Sequence, residues 1–254
     1  MAELVTNQIT KCFHGKKVIE DISIKVHDKE LVCLLGVSGA GKTTLFNVIS
    51  GLLQPEEGSV YLNGNDITGQ AGHISYMLQK DLLMPYKTVL DNVALPFIIK
   101  GVPKKIARQK ALSYFIQFGL QGTEKKYPNQ LSGGMRQRAA LLRTYLSSHV
   151  KQEDKGGIAL LDEPFSALDT ITKSGIHRWY LDVMEKIQLS TIFITHDIDE
   201  AILLSDRIYL LTGNPGRITD EIVIQQPKPR RKDFPITEEF LFYKKKIIET
   251  LGAL

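Results

Sequence analysis

The chain has 254 residues, of which 43% are hydrophobic and 24% are charged, and its formal net charge is +4 at pH 7. This composition excludes intrinsic disorder as the default state, and the mild charge gives no indication of a nucleic-acid partner. The two cysteines, Cys12 and Cys33, are too few for a metal-ligand pattern, and we expect Cys33 to be a buried thiol in a reducing compartment. Because no signal peptide is evident and no apolar run approaches about 18 residues, we expect a soluble chain without a membrane-spanning helix.

The first elements are two predicted strands, 4–13 and 18–26, joined by a turn at 14–16. Phe13 lies at the end of the first strand. An exposed aromatic side chain there could stack on an adenine ring, and a core phenylalanine is the alternative.

A glycine-rich segment follows the next apolar strand and leads directly into a helical pattern. Residues Gly36 to Thr43 fit G-x-x-x-x-G-K-[ST] without a mismatch. Glycines allow backbone N–H groups to converge on an anion, and the helix that follows directs the positive end of its dipole at the same place. Lys42 would reach the outer phosphates and Thr43 would bind Mg²⁺. A glycine-rich turn without a ligand is the alternative, but the pattern predicts a nucleoside-triphosphate site.

The chain then continues with strands at 59–62 and 74–78, and Gln79 stands at the end of the second. Helical patterns over 88–100 and 103–118 interrupt the alternation of strands and helices. These helices predict an inserted helical subdomain.

A second anion site is indicated by Ser132, Gly133 and Gly134, which open a helix that is predicted to run through Leu146. Ser132 can act as the N-cap, and the two glycines leave the free N–H groups of the helix uncovered. An ordinary capped helix is the alternative. Two anion sites in one chain are most easily explained if they close on the same ligand.

Polar residues follow two further buried strands. The strand 158–161 ends in Asp162 and Glu163, which are placed to hold Mg²⁺ and to accept a proton from an attacking water, respectively. The strand 191–195 is followed by His196, at the same level of the sheet as Gln79 and Asp162. A solvated turn and a structural histidine are the alternatives.

The last part of the chain predicts two final strands, 207–211 and 217–224. They are followed by a proline-rich basic linker at 227–232 and an amphipathic helix over 237–251. Lys244 to Lys246 could meet anionic lipid head groups, but a solvated face is the favoured interpretation.

Three motifs in this order resemble those of the ATP-binding subunit of an ABC transporter: GVSGAGKTT at 36–44, LSGGMRQR at 131–138 and IALLDEP at 158–164. Shorter elements also agree with that family: Gln79, SALD at 166–169 and the sequence Thr-His-Asp at 195–197. The resemblance implies an α/β P-loop NTPase fold of the ABC-ATPase type. Its mostly parallel RecA-like core sheet would be joined by an N-terminal antiparallel β subdomain and an inserted helical subdomain. We expect the ATPase domain to span 1–226, with the helical subdomain at about 82–147, and the linker and terminal helix to span 227–254.

The resemblance also assigns residues to roles, with ATP and Mg²⁺ as cofactors. The implied catalytic residues are Glu163 as the general base, His196 and Gln79. The residues implied to bind nucleotide are Phe13, Gly36, Val37, Ser38, Gly39, Ala40, Gly41, Lys42, Thr43 and Thr44. Those implied to contact the nucleotide of the opposite subunit are Ser132, Gly133, Gly134, Gln137 and Asp169, and those implied to serve the metal are Thr43, Gln79 and Asp162.

The implied assembly is a homodimer that shares ATP and lies on the cytoplasmic face of the cell membrane. Permease subunits would contact residues 79–93 and the helical subdomain, and an extracytoplasmic solute-binding protein would act indirectly. Residues 82–93 are similar to the groove segment of importers for nitrate, alkanesulfonates and taurine, although Tyr86 stands where these commonly have tryptophan. The resemblance therefore implies an ATPase that drives uptake of a small, anionic solute. The loop at about 148–157 is longer than usual. An exporter ATPase, a non-transport ABC ATPase and a P-loop kinase are the alternatives.

Overall fold

The structure is a computed structural model that describes residues 3–151, 157–165, 170–228, 230–231 and 233–252. The strands are β1 (Leu4–Phe13), β2 (Lys16–Ile22), β3 (Lys25–Val26), β4 (Leu31–Gly36), β5 (Glu57–Leu62), β6 (Asn65–Asp66), β7 (Ser75–Met77), β8 (Ile158–Asp162), β9 (Ser190–Thr195), β10 (Arg207–Thr212) and β11 (Arg217–Val223). The helices are α1 (Lys42–Ile49), α2 (Val89–Val93), α3 (Leu95–Ile99), α4 (Lys104–Leu112), α5 (Gly133–Lys151), α6 (Thr170–Ile187), α7 (Ile198–Leu204) and α8 (Glu238–Gly252).

The central sheet of the described chain has six strands in the order β11-β10-β4-β9-β8-β7. All neighbouring pairs are parallel except β10 and β11. Every residue of β4, β8 and β9 is buried, as expected when helices cover both faces of a parallel sheet. The carboxyl ends of β7, β8 and β9 therefore lie side by side, next to the turn that follows β4.

A second, antiparallel sheet is formed by the other five described strands, with β1 at its centre. The turn predicted at 14–16 joins β1 to β2, and His14 and Gly15 both have the positive φ angles that a tight hairpin turn requires. The single strand predicted over 18–26 is wrong, because it divides into β2 and β3. At the break the Thr6 hydroxyl accepts a hydrogen bond from the Ile24 N–H at 2.9 Å, in place of a ladder partner.

The helices α2 to α4 and the first part of α5 form the predicted helical insertion. One helix was expected over 88–100, but the structure divides it at Ala94 into α2 and α3. Pro96 explains the division, since it has no N–H to continue the hydrogen-bond ladder of α2. The second expected helix ends at Leu112 rather than Phe118.

The terminal helix α8 packs onto α7 and β10 through Phe240, Tyr243 and Ile247, which belong to the same core cluster as the central sheet. The lysine cluster is only partly solvated, contrary to expectation. Lys244 pairs with Asp199 at 2.7 Å and Lys246 with Asp220 at 2.9 Å. No helix within the described ranges is long and apolar enough to cross a membrane.

Candidate functional site

The loop between β4 and α1 provides the phosphate-binding type of backbone that its sequence predicts. Gly41 caps α1 with a φ of 94°, and no side chain caps the helix. A Cβ atom at this position would overlap the side chain of Ile19, so only glycine fits both the backbone angle and the space. The free N–H groups at the start of α1 therefore have no side-chain cap to compete with an anion.

Lys42 is held across this loop. Its Nζ atom donates to the carbonyl oxygens of Gly36 and Val37, each at 2.8 Å. Burial lowers the pKa of the Lys42 ammonium, although Glu163 and Asp162 oppose this shift. A phosphate group bound beside Lys42 would stabilise the charged form of its ammonium group.

The metal-ligand candidates meet at the carboxyl end of β8. Thr43 Oγ1 donates to Asp162 Oδ2 at 3.3 Å, and the Tyr76 hydroxyl donates to the same oxygen at 3.4 Å. Burial raises the pKa of the Asp162 carboxyl despite these two hydrogen bonds. Tyr76 was not predicted from the sequence, because its position in an alternating strand equally suits a core residue.

Glu163 is held from two sides by residues that follow the neighbouring strands. Gln79 Nε2 donates to its Oε2 atom at 2.9 Å, and His196 Nδ1 lies 3.2 Å from its Oε1 atom. The backbone of Glu163 has a φ of 46°, which is a left-handed conformation. This conformation costs free energy in a residue with a Cβ atom, and residues that adopt it are found most often at functional sites. A fixed carboxylate at the mouth of a phosphate loop can accept a proton from water.

One cleft of about 630 Å³ brings most of the predicted site residues together. It is lined by Ser38, Gly39, Gly41, Lys42, Thr43, Thr44, Gln79, Asp162, Glu163 and His196. Gly36, Val37 and Ala40 belong to the same loop. Val18 and Ile194 also line the cleft and were missed, since nothing distinguishes them in sequence from other core aliphatics.

Phe13 does not line this cleft. Its side chain is 41% exposed, and Lys11 Nζ lies 5.5 Å from the ring centroid. The exposure agrees with the predicted stacking role, which stays a prediction.

The segment that opens α5 also lies outside the cleft. Ser132 is exposed and its Oγ atom accepts from the Met135 N–H at 3.3 Å, which confirms its predicted place as the N-cap. Gly133 and Gly134 are half-buried. Gln137 is instead buried, and its Oε1 atom has no hydrogen-bond partner among the described residues. Asp169, with the rest of 166–169, lies outside the described residues, as do 152–156 of the long loop.

The donor set of the cleft fits a magnesium nucleotide. Oxygen atoms of a hydroxyl, an amide and a carboxylate are available from Thr43, Gln79 and Asp162, and Mg²⁺ prefers oxygen ligands. The glycine loop provides a cradle that a Cβ would fill, and the volume of the cleft suits a phosphate chain.

Comparison with known proteins agrees with this chemistry. Residues 19–166 match the protein family described as ABC transporter. The chain is 42% identical to the formylaminopyrimidine import ATP-binding protein ThiZ of Halalkalibacterium halodurans, over 93% of this chain and 89% of that protein. It is 34% identical to the nitrate import ATP-binding protein NrtD of Synechocystis, over 95% of this chain and 91% of that protein.

A solved structure extends the likeness to the fold. The dimeric post-hydrolysis state of the ATP-binding cassette MJ0796, bound to ADP and Pi, superimposes with a TM-score of 0.72 at 27% identity, and the match covers 87% of this chain and 99% of that one. The predicted fold class and ATP-hydrolase activity are therefore confirmed. The chain belongs to the ABC transporter family and is an ATPase that binds and hydrolyses ATP.

Proposed function

We propose that the chain is the ATP-binding subunit of an importer, in which two copies share Mg-ATP and drive uptake of a small solute through separate permease subunits. One observation carries the proposal. The cleft holds a phosphate loop and a fixed carboxylate, while the second anion-binding segment, at Ser132, is exposed elsewhere on the surface. A second copy can supply that segment.

Within one copy, the loop amides and Lys42 bind the phosphates, and Thr43, Gln79 and Asp162 would hold Mg²⁺. Bound Mg²⁺ would neutralise charge on the phosphate oxygens. Glu163 accepts the proton of the attacking water, and Gln79 and His196 keep its carboxylate in place through the hydrogen bonds described above. His196 is mostly exposed at the cleft, and we assign it a contact with the terminal phosphate of bound ATP.

Across the dimer, Ser132, Gly133 and Gly134 present their hydroxyl and N–H groups to the nucleotide held by the other copy. The dimeric cassette structure described above supports this arrangement. Gln137 and Asp169 are proposed for the same contact. The buried position of Gln137 requires a change of side-chain conformation before it can reach a partner.

The surface next to Gln79 is suited to a permease. Leu82, Tyr86 and Ile99 are exposed, with 73% of the Tyr86 side chain accessible. A cavity of about 260 Å³ adjoins Ile99 and is lined by α3, α5 and one residue of β7. Arg143 of α5 donates to the carbonyl oxygens of Asp81 and Leu82 at 2.6 and 2.8 Å. Movement of Gln79 with the nucleotide would therefore be transmitted to both the segment after β7 and the helical insertion.

We further propose that the dimer works at the cytoplasmic face of the cell membrane and that the solute is small. The relatives differ in the solute that their names specify, which is formylaminopyrimidine for one and nitrate for another. A formylaminopyrimidine is not an oxyanion, so an anionic solute, as the sequence suggested, is one option within a wider group of small solutes.

Co-expression with candidate permeases tests the proposal. We expect the chain to co-purify with a membrane permease, and ATP hydrolysis by the reconstituted complex to rise when a loaded solute-binding protein is added outside. Tyr86→Asp should abolish co-purification, whereas Val223→Asp, at an exposed apolar residue of β11 on the opposite edge of the central sheet from β7, should not. Retrieval of no permease would contradict the transport role. A complex that exports solute and ignores every binding protein would support the exporter alternative.

A further inference from the structure

The outer face of α8 is an unpaired apolar surface. While Phe240, Tyr243 and Ile247 point into the protein, Leu241, Phe242 and Ile248 lie on the opposite side of the helix and are at least half exposed. Ile236, just before the helix, is 83% exposed. Four large apolar side chains on one side of a single segment form a patch of the kind that marks an interaction site.

The charges on this outer face argue against a lipid partner. Lys244 and Lys246 are drawn towards the protein by their ion pairs with Asp199 and Asp220. Only Lys245 of the cluster lies on the outer face, and it is accompanied there by Glu238 and Glu249, the latter 3.8 Å from Lys245 Nζ. An outer face with two acidic residues and one basic residue is not attracted to anionic head groups.

The same charges are complementary to a second copy of the helix. Glu238 precedes Leu241 by three residues, and Lys245 follows Phe242 by three. If two copies of α8 pair antiparallel about a two-fold axis between Leu241 and Phe242, each Glu238 faces a Lys245 of the other copy. The central residues then pack on each other, and Ile236 of each copy lies near Ile248 of the other.

The spacing of these residues also suits helix pairing. Positions 238, 241, 242, 245 and 248 lie within about one third of the circumference of a helix with 3.6 residues per turn. All five are exposed, so none is needed by the core. A self-complementary pattern of this kind is what a two-fold interface requires.

We propose that α8 forms an antiparallel contact with α8 of a second copy, and that this contact does not require nucleotide. A stable interface buries about 800 Å² of surface on each partner. A single pair of 15-residue helices buries less than this, so the contact is weak by itself. If the proposed function is correct, the contact also keeps two ATPase subunits at high effective concentration after ATP has been hydrolysed.

Sedimentation equilibrium of the full chain in EDTA, without nucleotide, tests the proposal. We expect a monomer–dimer equilibrium in the range of tens of micromolar. Phe242→Asp should abolish dimerisation, and Glu238→Lys or Lys245→Glu should each weaken it about tenfold. The double variant Glu238→Lys/Lys245→Glu should restore it, because the charges are then exchanged rather than removed. Ile116→Asp is the matched control and should dimerise like the parent chain. A thermal melt of each variant shows that it is folded.

Cross-linking tests the orientation separately. In a Cys12→Ser background, Leu241→Cys should form a disulfide between copies without nucleotide when a copper catalyst and oxygen are supplied as the oxidant, because it lies next to the two-fold axis. Leu112→Cys, on an exposed position of α4, should not. A parent chain that remains monomeric at hundreds of micromolar, a dimer unaffected by Phe242→Asp, or binding to anionic vesicles in place of self-association would overturn the proposal. Because all these measurements omit ATP, their failure would leave the shared-nucleotide dimer untouched.

Discussion

Replacement of Glu163 by glutamine tests the proposed catalytic role most sharply. The variant keeps the size of the side chain and one acceptor oxygen, so Gln79 can still donate its hydrogen bond. It removes the group that would accept the proton of water. Loss of a general base costs about 10²–10⁴-fold in rate, which corresponds to about 3–5 kcal/mol of activation free energy.

Nucleotide binding should survive this change. Lys42 and the loop amides, which are proposed to hold the phosphates, do not depend on Glu163 for their positions. The charge of Glu163 raises the pKa of Asp162, so its removal favours the ionised form of Asp162 that binds Mg²⁺. We therefore expect the Kd for Mg-ATP to stay within about threefold of the parent value, equivalent to less than about 0.7 kcal/mol.

Phosphate release at saturating Mg-ATP measures the turnover, and calorimetric titration with Mg-ATP measures the binding of the slow variant. Glu163→Asp is the control, since it keeps a carboxylate but withdraws it from His196 and should retain more activity than the glutamine variant. Turnover within about tenfold of the parent would refute the assignment of Glu163 as the base. A large loss of binding would instead place Glu163 among the nucleotide ligands.

Three further predictions concern single residues. Gly41→Ala should abolish nucleotide binding measured by calorimetry, because the added Cβ would meet the side chain of Ile19 and the backbone φ is positive. Binding at the parent affinity would show that the phosphate loop does not require glycine at this position. Tyr76→Phe removes a hydrogen bond to Asp162, so the Mg²⁺ concentration for half-maximal ATPase activity should rise about two- to fivefold, and an unchanged value would show that this contact is unimportant. Asp91→Asn should lower Tm at pH 7 by about 2–4 °C, since the arginine of α4 holds the pKa of Asp91 below its usual value. A carboxyl with a lowered pKa stabilises the fold above its unfolded pKa, so the difference in Tm should begin to shrink as the pH falls below about 4 and should vanish once the pH is below the lowered pKa of the folded state. A constant difference would contradict the linkage.

The chemistry of the site could be predicted from the sequence because it follows strand ends. Gln79, Asp162 and His196 each stand at or just beyond the end of an apolar strand, and parallel strands bring such positions to one edge of the sheet. Tyr76 could not be predicted, because its role depends on the distance between its hydroxyl and Asp162. The left-handed backbone of Glu163 is equally invisible in sequence, since it arises from the surrounding fold.

The ion pairs of α8 were beyond sequence patterns for a similar reason, whereas a second feature that was missed, the division of a predicted helix, was not. The lysines of α8 were expected in solvent, but Lys244 and Lys246 find Asp199 and Asp220 on other elements. Such pairs join residues that are distant along the chain, and periodicity describes only neighbours. The division of α2 from α3 at Ala94 was in principle readable, since Pro96 lies within the helical pattern and lacks an N–H.

Sharing of nucleotide between two copies can be measured directly by the ATP-dependent dimerisation of two variants. Sedimentation velocity would compare Glu163→Gln with Glu163→Gln/Ser132→Arg, both in a Phe242→Asp background so that only the nucleotide-dependent contact remains. We expect both variants to bind ATP as monomers, and ATP to convert only the first into a dimer. Dimers of both variants with ATP, or loss of ATP binding by the Ser132→Arg monomer, would contradict the sharing of nucleotide.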